Sequence, residues 1–485
     1  MAQDQDRRAH LASAVVLLSA ACASPHPDEV RPELDVLMRD GLRAAWAGPA
    51  SSGEYPGDAP FWVGFQDEVL DGLVREALIH NQDLAASAER LRAAAGRARI
   101  ARSARRPQLD ANATYARQQN VFVGLPIPGA TGPLSTTFDQ WNASLDLAWE
   151  VDLWGKLAAA VDAASADVAA TAADLAGARL SVAAQVTQAW FGLREASEQS
   201  LLAEATVATY ERSLDVVQGR FDAGLSGALD LRLAEANAAS SRASLVSARR
   251  AEAAASRQIE LLLGRFPASE LEAAGDFGEL PAQVPSGIPA DVLARRPDLV
   301  AAERRMAAAE ALAKQARLDR WPSLALTTSL GRTSEDFDDL LDGDFSIWSL
   351  AGRLAGPILD GGRRRARIDE TLADLRASRA AFAGLALRAF FEVENALDAE
   401  RRLRERIEHL DVAAKAAGAA TELAQDQYRE GLISIELVLE SQRGQFRAES
   451  AYLAARRELF QARVDLHVAL GGSFGTPGPA APEAE

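Results

Sequence analysis

The chain contains two copies of one sequence pattern, and this internal repeat limits the possible folds more than any single motif does. Residues 81–109 align without a gap with residues 296–324. Two shorter stretches match at a slightly smaller offset, with Leu153-Trp154-Gly155 on Leu359-Asp360-Gly361 and residues 221–225 on 428–432. Because each half predicts the other, we expect two structural repeats with the same order of elements.

Each repeat holds two segments in which apolar and polar residues alternate, as they do in β-strands. The segments are residues 109–116 and 140–151 in the first repeat, and 323–330 and 348–354 in the second. The strands of each pair are expected to be roughly 10 to 14 residues long, which is the length of a tilted strand that crosses a bilayer. Alternation alone suits an ordinary half-buried sheet equally well. The strand lengths and the tryptophans favour a membrane.

Four strands cannot close a barrel in a bilayer, because each open edge would leave backbone groups unpaired in lipid. Bilayer-spanning barrels need at least about eight strands. Strands that span a membrane therefore predict an oligomer, and a symmetric trimer with twelve strands is the simplest closed ring.

Long helices are expected to follow the second strand of each repeat. They run from Lys156 to about Arg220 and from Arg363 to about Arg429, and about 65 residues at 1.5 Å per residue make a rod of about 100 Å. In the first repeat, a helical period starts at Leu70 and runs to about Arg105. Shorter helices should stack end to end beside each rod, at residues 83–105 with 229–263 and at residues 298–320 with 435–470.

The remaining segments divide the chain into parts. We predict the following division: a signal peptide at 1–21, a lipidated leader at 22–60, the first repeat at 61–264, a linker at 265–289, the second repeat at 290–472 and a disordered tail at 473–485.

Cys22 is the only cysteine, so no disulfide can form within the chain. Arg7, Arg8 and an apolar run that ends at Ala21 precede it, which is a signal-peptide pattern too short to span a membrane. Small residues before Cys22 favour cleavage and acylation there. The alternative is an ordinary signal peptide, because Ser19 stands where bacterial lipoboxes usually carry Leu.

The charge argues against nucleic acid as a partner. The net charge is −17 and the pI is near 5.0, whereas phosphate recognition needs a basic face. The cluster Arg363-Arg364-Arg365-Ala366-Arg367 is interpreted as a solvated or headgroup-adjacent face in preference to a polyanion site.

No pattern indicates catalysis. The five histidines show no ligand spacing, and the glycine-rich segments lack the context of a phosphate loop or a nucleophile elbow. We therefore predict no enzyme activity, no metal site and no cofactor.

Two places still suggest function. The helix–helix turns each hold a glycine beside an apolar residue, with Gly224, Leu225 and Ser226 in the first and Gly431, Leu432 and Ser434 in the second. A glycine C-cap explains part of this pattern, and partner docking at the far end of the rod would explain the rest. Near the second turn, Glu422, Asp426 and Arg429 share a helix face. Repeated by symmetry they would form a charged ring in a pore, although surface salt bridges explain the same residues.

The chain closely resembles the TolC-like outer-membrane efflux family over residues 60 to 473, and most closely the lipidated OprM/NodT-type factors of resistance-nodulation-division pumps. The segments that carry the resemblance are residues 65–70, 77–84, 295–299, 357–362 and 469–472. The fold class that this implies is mixed and mainly α: a trimeric twelve-stranded outer-membrane β-barrel, with four strands per chain, continued by a long α-helical periplasmic barrel.

The resemblance also implies function. It implies a homotrimer in the lipid of the outer membrane of a Gram-negative bacterium, which serves as a passive exit duct for small molecules. Its partners would be a periplasmic adaptor, docked through Gly224-Leu225-Ser226 and Gly431-Leu432 with Ser434, and an inner-membrane transporter. The family's charged periplasmic gate maps loosely onto Glu422, Asp426 and Arg429. The alternatives are a type I secretion outlet for polypeptides and, in a different class, a coiled-coil scaffold lipoprotein without a pore.

Overall fold

A computed structural model describes residues 60–122, 134–273, 277–280, 289–341 and 343–472. The predicted signal peptide, Cys22, the leader up to residue 59 and the predicted tail at 473–485 lie outside these residues.

Helices dominate the described part of the chain, and two pairs of strands interrupt them. The elements in chain order are α1 (Glu68–His80), α2 (Gln82–Ser103), β1 (Gln108–Phe122), β2 (Leu134–Val151), α3 (Lys156–Asp222), α4 (Ala228–Leu262), α5 (Pro289–Arg295), α6 (Pro297–Leu318), β3 (Ser323–Ser334), β4 (Ser346–Ala355), α7 (Arg363–Arg429) and α8 (Ile435–Ala469). Short 3₁₀ turns precede α1 and connect β3 to β4.

The internal repeat is confirmed element by element. α2 and α6 each have 22 residues, α3 and α7 each have 67, and α4 and α8 each have 35. In the first repeat, the helical period expected from Leu70 to about Arg105 is divided at Asn81 into α1 and α2, and α2 matches the shorter helix predicted at residues 83–105. The Asn81 side chain accepts hydrogen bonds from the N–H groups of Asp83 and Leu84 and so caps α2.

The shorter helices stack end to end beside the long ones, as predicted. The Asn81 amide nitrogen, at the start of α2, donates to the carbonyl oxygen of Leu262 at the end of α4, at 2.9 Å. Arg296, which precedes α6, takes the same place in the second repeat and donates to the carbonyl oxygen of Ala469 at the end of α8, at 3.2 Å. α3 packs against both α2 and α4, and α7 against both α6 and α8.

The four strands form one antiparallel sheet in the order β1-β2-β3-β4. β1 and β2 are 15 and 18 residues long, which exceeds the predicted 10 to 14 residues, whereas β3 and β4 have 12 and 10. The register pairs Leu145 with Leu330, and Leu330 with Trp348. Since directly opposed residues share a face of a sheet, the predicted apolar residues of these strands lie on one face.

The largest core lies where α1, α3, α4 and α8 meet. Trp190 and Phe191 of α3 are its largest fully buried aromatic side chains, and the rings of Phe65 and Phe460 pack at a tilt against Phe191. The described residues between 265 and 280 have no helix or strand, yet Ala273 and Phe277 are buried in this core. That part of the predicted linker is therefore held against the helices.

None of the described helices has both the length and the apolar composition that a membrane-spanning helix needs.

Candidate functional site

The two helix–helix turns have the same backbone geometry. Gly224 and Gly431 adopt φ angles of 74° and 78°, a left-handed conformation that glycine reaches without steric cost. In the first turn the N–H of Leu225 donates to the carbonyl of Arg220 at 2.8 Å, and in the second the N–H of Leu432 donates to that of Gln427 at 2.9 Å. This six-to-one bond is the Schellman motif, which satisfies carbonyls at the end of a helix.

Both turns expose an apolar side chain. In a Schellman motif the residue after the glycine often contacts the preceding helix, but Leu225 and Leu432 are 70% and 68% exposed. Ser226 is half-buried and its hydroxyl donates to the carbonyl of Val217, whereas Ser434 is exposed and precedes the first residue of α8. The residue equivalent to Ser434 is Gly227, so the two predicted docking serines occupy different positions in their turns.

A buried cluster joins the two helix ends. It contains Tyr210 and Val217 of α3, Leu231 of α4, Tyr428 of α7 and Val438 of α8. Arg220 ties the two turns together, because its guanidinium donates to the carbonyl of Tyr428 at 3.0 Å and lies 4.9 Å from the centre of the Tyr428 ring. Burial raises the pKa of Tyr428, so its hydroxyl stays neutral beside this cation.

The bridge from Arg220 to Tyr428 is not predicted from the sequence. A signal for it exists, since the aligned turns carry an aromatic residue at the same place, Phe221 in the first and Tyr428 in the second. The partner of the ring comes from the other repeat, about two hundred residues away, and no local pattern specifies such a pair.

The predicted gate residues lie close to the second turn. Glu422, Asp426 and Arg429 are all exposed on the last two turns of α7, and Asp426 forms an ion pair with Arg429. The first repeat has Asp215, Gly219 and Asp222 at the equivalent positions. The second turn therefore carries a paired charge that the first turn lacks.

Within the described residues, no group of His, Cys, Asp or Glu side chains is arranged to hold a metal ion.

Comparison with known proteins identifies the family that has this architecture. A family profile described as "Outer membrane efflux protein" matches residues 73–265 and 288–472. The chain is 31% identical over 465 residues to "Outer membrane protein OprJ" of Pseudomonas aeruginosa, with 95% of each chain covered. It is 30% identical to "Toluene efflux pump outer membrane protein TtgF" of Pseudomonas putida, with 85% of each covered.

Solved structures share the fold over most of its length. A structure titled "Structural insights of the outer-membrane channel OprN" superposes with a TM-score of 0.78 at 29% identity, covering 89% of this chain and 98% of that one. A membrane protein from Pseudomonas aeruginosa gives a TM-score of 0.80 at 31% identity, covering 89% and 97%.

These matches confirm the predicted fold class and the predicted function. The chain is mainly helical, contributes four strands and matches the TolC-like channels, which are trimers that combine a β-barrel with a helical barrel. It is an outer-membrane efflux channel protein, in agreement with the names of its relatives. The chain belongs to the outer membrane efflux protein family.

Proposed function

We propose that this chain forms a homotrimer whose twelve strands make one barrel in the outer membrane, continued by a helical tunnel through the periplasm. The open edges of the four-stranded sheet support this assembly. Among the described residues, β1 and β4 each pair with a single strand. An edge left open in lipid would leave backbone groups without partners, at several kcal/mol for each group.

The internal repeat supplies the register of the contact between subunits. Strands β2 and β3 meet at the boundary between the two repeats, where Leu147 lies opposite Thr328. The equivalent boundary joins β4 to β1 of the next copy, and the same register places Leu354 opposite Ala113 of the partner subunit. This register keeps the apolar face continuous around the ring, whereas a slip by one residue would reverse it.

Cysteine cross-linking tests both the trimer and its register. With Leu354→Cys and Ala113→Cys in one chain, we expect oxidation in membranes to give covalent dimers and trimers on a denaturing gel. The matched pair Ala355→Cys and Ala113→Cys is one residue out of register and should give none. Monomer from both variants would contradict the trimer.

The exposed turns are the proposed docking surface for a periplasmic adaptor, which would couple the channel to an inner-membrane resistance-nodulation-division transporter. Exposed apolar side chains at Leu225 and Leu432 support this assignment. Leu225→Asp with Leu432→Asp should abolish both adaptor capture and efflux while the trimer persists. Val246→Asp is the control, because Val246 is similarly exposed, on the middle of α4. Full efflux by the Leu225/Leu432 variant would refute docking at the turns.

The cargo is proposed to be small molecules that the pump delivers. TtgF, one of the similar proteins, is named for toluene efflux, which favours small molecules over the polypeptides of a type I secretion outlet. Such a duct performs no reaction and needs no cofactor. Solutes would pass when the long-helix ends splay, with the adaptor supplying the free energy that shifts the closed–open balance.

Asp426 of the proposed gate is testable in the isolated channel. Asp426→Ala removes the ion pair with Arg429 and should raise the conductance of the trimer in a planar bilayer. Asp222→Ala is the control, because it removes an exposed carboxylate at the end of α3, and it should leave the conductance unchanged. Equal conductance in all three proteins would contradict the gate, including the roles of Glu422 and Arg429.

Lipidation of Cys22 remains a proposal, together with removal of the signal peptide at 1–21. Its support is the sequence around the cysteine. Mass spectrometry of the N-terminal peptide should find acyl groups on Cys22, and an unmodified peptide would leave the leader at 22–60 without an anchor.

A further inference from the structure

Each of the four strands is connected to a helix at one of its ends, and all four connections lie at the same end of the sheet. The register pairs Gln108, the start of β1, with Ala148 near the end of β2. It also pairs Ser323, the start of β3, with Ala355, the end of β4. The segments just outside the sheet, residues 97–107, 152–157, 314–322 and 356–367, therefore share one level, which we call the joint belt.

The joint belt is basic, although the chain as a whole is acidic. It holds thirteen Lys and Arg residues against three Asp residues, in a chain whose net charge is −17. Trp154 and Trp321 stack in this belt with ring centres 5.2 Å apart, and the Trp149 indole donates to the carbonyl of Arg105. Tryptophan is typical of the level at which a membrane protein meets the lipid headgroups.

Within one chain, acidic side chains at the joint between the two repeats pair with the first cation of α3. There the start of α3 meets the end of α6. The Lys156 ammonium lies 2.6 Å from the Glu150 carboxylate and 3.9 Å from that of Asp319. Two acidic side chains thus compensate the cation at the first residue of the long helix.

The equivalent joint, between the start of α7 and the end of α2, lacks both acids. Arg363 takes the place of Lys156, whereas Pro357 and Ala104 take the places of Glu150 and Asp319. α7 does not pack extensively on α2 of its own chain. By the symmetry of the repeat, it meets α2 of the next copy in the proposed trimer.

Four of the basic side chains at this joint have no acidic partner among the described residues of one chain. Arg102 and Arg105 at the end of α2, and Arg363 and Arg365 at the start of α7, are exposed and form no ion pair with another described residue. The positive end of the α7 dipole adds to the repulsion between these cations. An anion bound between the subunits would remove it.

We propose that each joint between subunits binds the phosphate of an anionic phospholipid, such as phosphatidylglycerol, from the periplasmic leaflet. The inference rests on the proposed trimer in the outer membrane. Arg363 would contact the phosphate from one subunit, and Arg102 and Arg105 of the partner subunit from the other. The level of the belt, at the end of the membrane-spanning sheet and beside its tryptophans, selects a headgroup over a soluble anion.

Native mass spectrometry of the detergent-extracted, full-length trimer tests the proposal. After incubation with phosphatidylglycerol or phosphatidylethanolamine, the trimer should retain up to three phosphatidylglycerol molecules in preference to phosphatidylethanolamine. The variant Arg102→Gln, Arg105→Gln, Arg363→Gln should bind phosphatidylglycerol about fivefold more weakly for each arginine removed. Excess inorganic phosphate should not displace the lipid.

The matched control is Arg90→Gln, Arg250→Gln, Arg257→Gln, which removes the same charge from exposed positions outside the joint belt. It should retain lipid like the unmodified chain. Equal loss in both variants, equal retention of the two lipids, or displacement by inorganic phosphate would each overturn the headgroup site while leaving the trimer intact. A monomer in detergent would instead overturn the proposed assembly, and the lipid site with it.

Discussion

The two repeats have long helices of equal length but fill one buried pair of positions with different chemistry. In the first repeat the residues at these positions are Leu193 and Ser256, both buried. In the second they are Glu400 and Arg463, whose carboxylate and guanidinium are 2.6 Å apart, with Arg463 fully buried. Helix length and register are therefore common to the two repeats, whereas the chemistry of the interior is free to differ. Each difference between the repeats predicts a measurable asymmetry.

The largest expected effect comes from breaking this buried pair. Arg463→Met should lower the free energy of unfolding by about 3 kcal/mol, because it leaves a buried carboxylate without its main partner. The value lies at the low end of the usual range for buried pairs, since Arg404 also contacts Glu400 at 2.6 Å. Urea denaturation of the detergent-solubilised protein, followed by helical circular dichroism, measures the change.

The double variant Glu400→Leu, Arg463→Met shows whether the charge pair is needed at all. It makes this position of the second repeat apolar, and its stability should lie within about 1 kcal/mol of the unmodified chain. A double variant as unstable as Arg463→Met alone would mean that the guanidinium serves the fold through contacts other than Glu400.

The next effect depends on pH, because the repeats also place different titratable groups at another shared position. His467 in the second repeat stacks on Phe61, and burial, aided by Arg463, lowers its pKa to about 3. Its counterpart in the first repeat is Glu260. Although burial opposes ionisation of Glu260, hydrogen bonds from the N–H groups of Ser269, Glu270 and Leu271 lower its pKa.

The two groups act in different pH windows. A neutral His467 binds fewer protons folded than unfolded, so stability falls as pH drops below about 6.5 and continues to fall towards pH 3. The loss from His467 between pH 6.5 and 5 is at most about 2 kcal/mol. Glu260 contributes stability that is present above its unfolded pKa and is lost only at lower pH. His467→Gln should therefore flatten the stability curve between pH 6.5 and 5, and an unchanged slope there would refute the assignment.

The sequence predicted the parts of the fold that depend on periodicity and on the repeat. The long helices and the glycine turns are confirmed within a few residues, because apolar spacing and glycine capping are local signals. The strands are confirmed as well, although β1 continues to Phe122 and β2 begins at Leu134. The sequence did not predict where α1 ends, since Asn81 interrupts no apolar period and the side-chain hydrogen bonds that cap α2 there are visible only in the structure. The Arg463–Glu400 and Arg220–Tyr428 contacts join distant parts of the chain, and no local signal specifies them.

A third asymmetry lies where the short helices stack end to end. Asn81 makes three hydrogen bonds at its joint, and Asn81→Ala should cost about 1 to 2 kcal/mol through loss of the cap. Arg296 holds the equivalent joint by ion pairs with Asp298 and Glu392, which are partly exposed and so contribute less. The loss of stability caused by Arg296→Gln should therefore become smaller as salt is added, whereas the loss caused by Asn81→Ala should not depend on salt. Denaturation at low and high ionic strength distinguishes the two.

The smallest expected effect tests whether the turns are as alike in energy as in geometry. Gly224→Ala and Gly431→Ala each force a side chain into the left-handed region, which costs about 1 kcal/mol. Since an added Cβ meets no atom closer than 3.8 Å in either turn, the two costs should be equal. Hydrogen exchange at the amides of Leu225 and Leu432 should accelerate about fivefold in each variant, and Asn at either position should recover part of the loss, because it tolerates this conformation. A larger acceleration at Leu432 alone would show that the link between Arg220 and Tyr428 strains the second turn, and the turns would then differ mechanically as well as in charge.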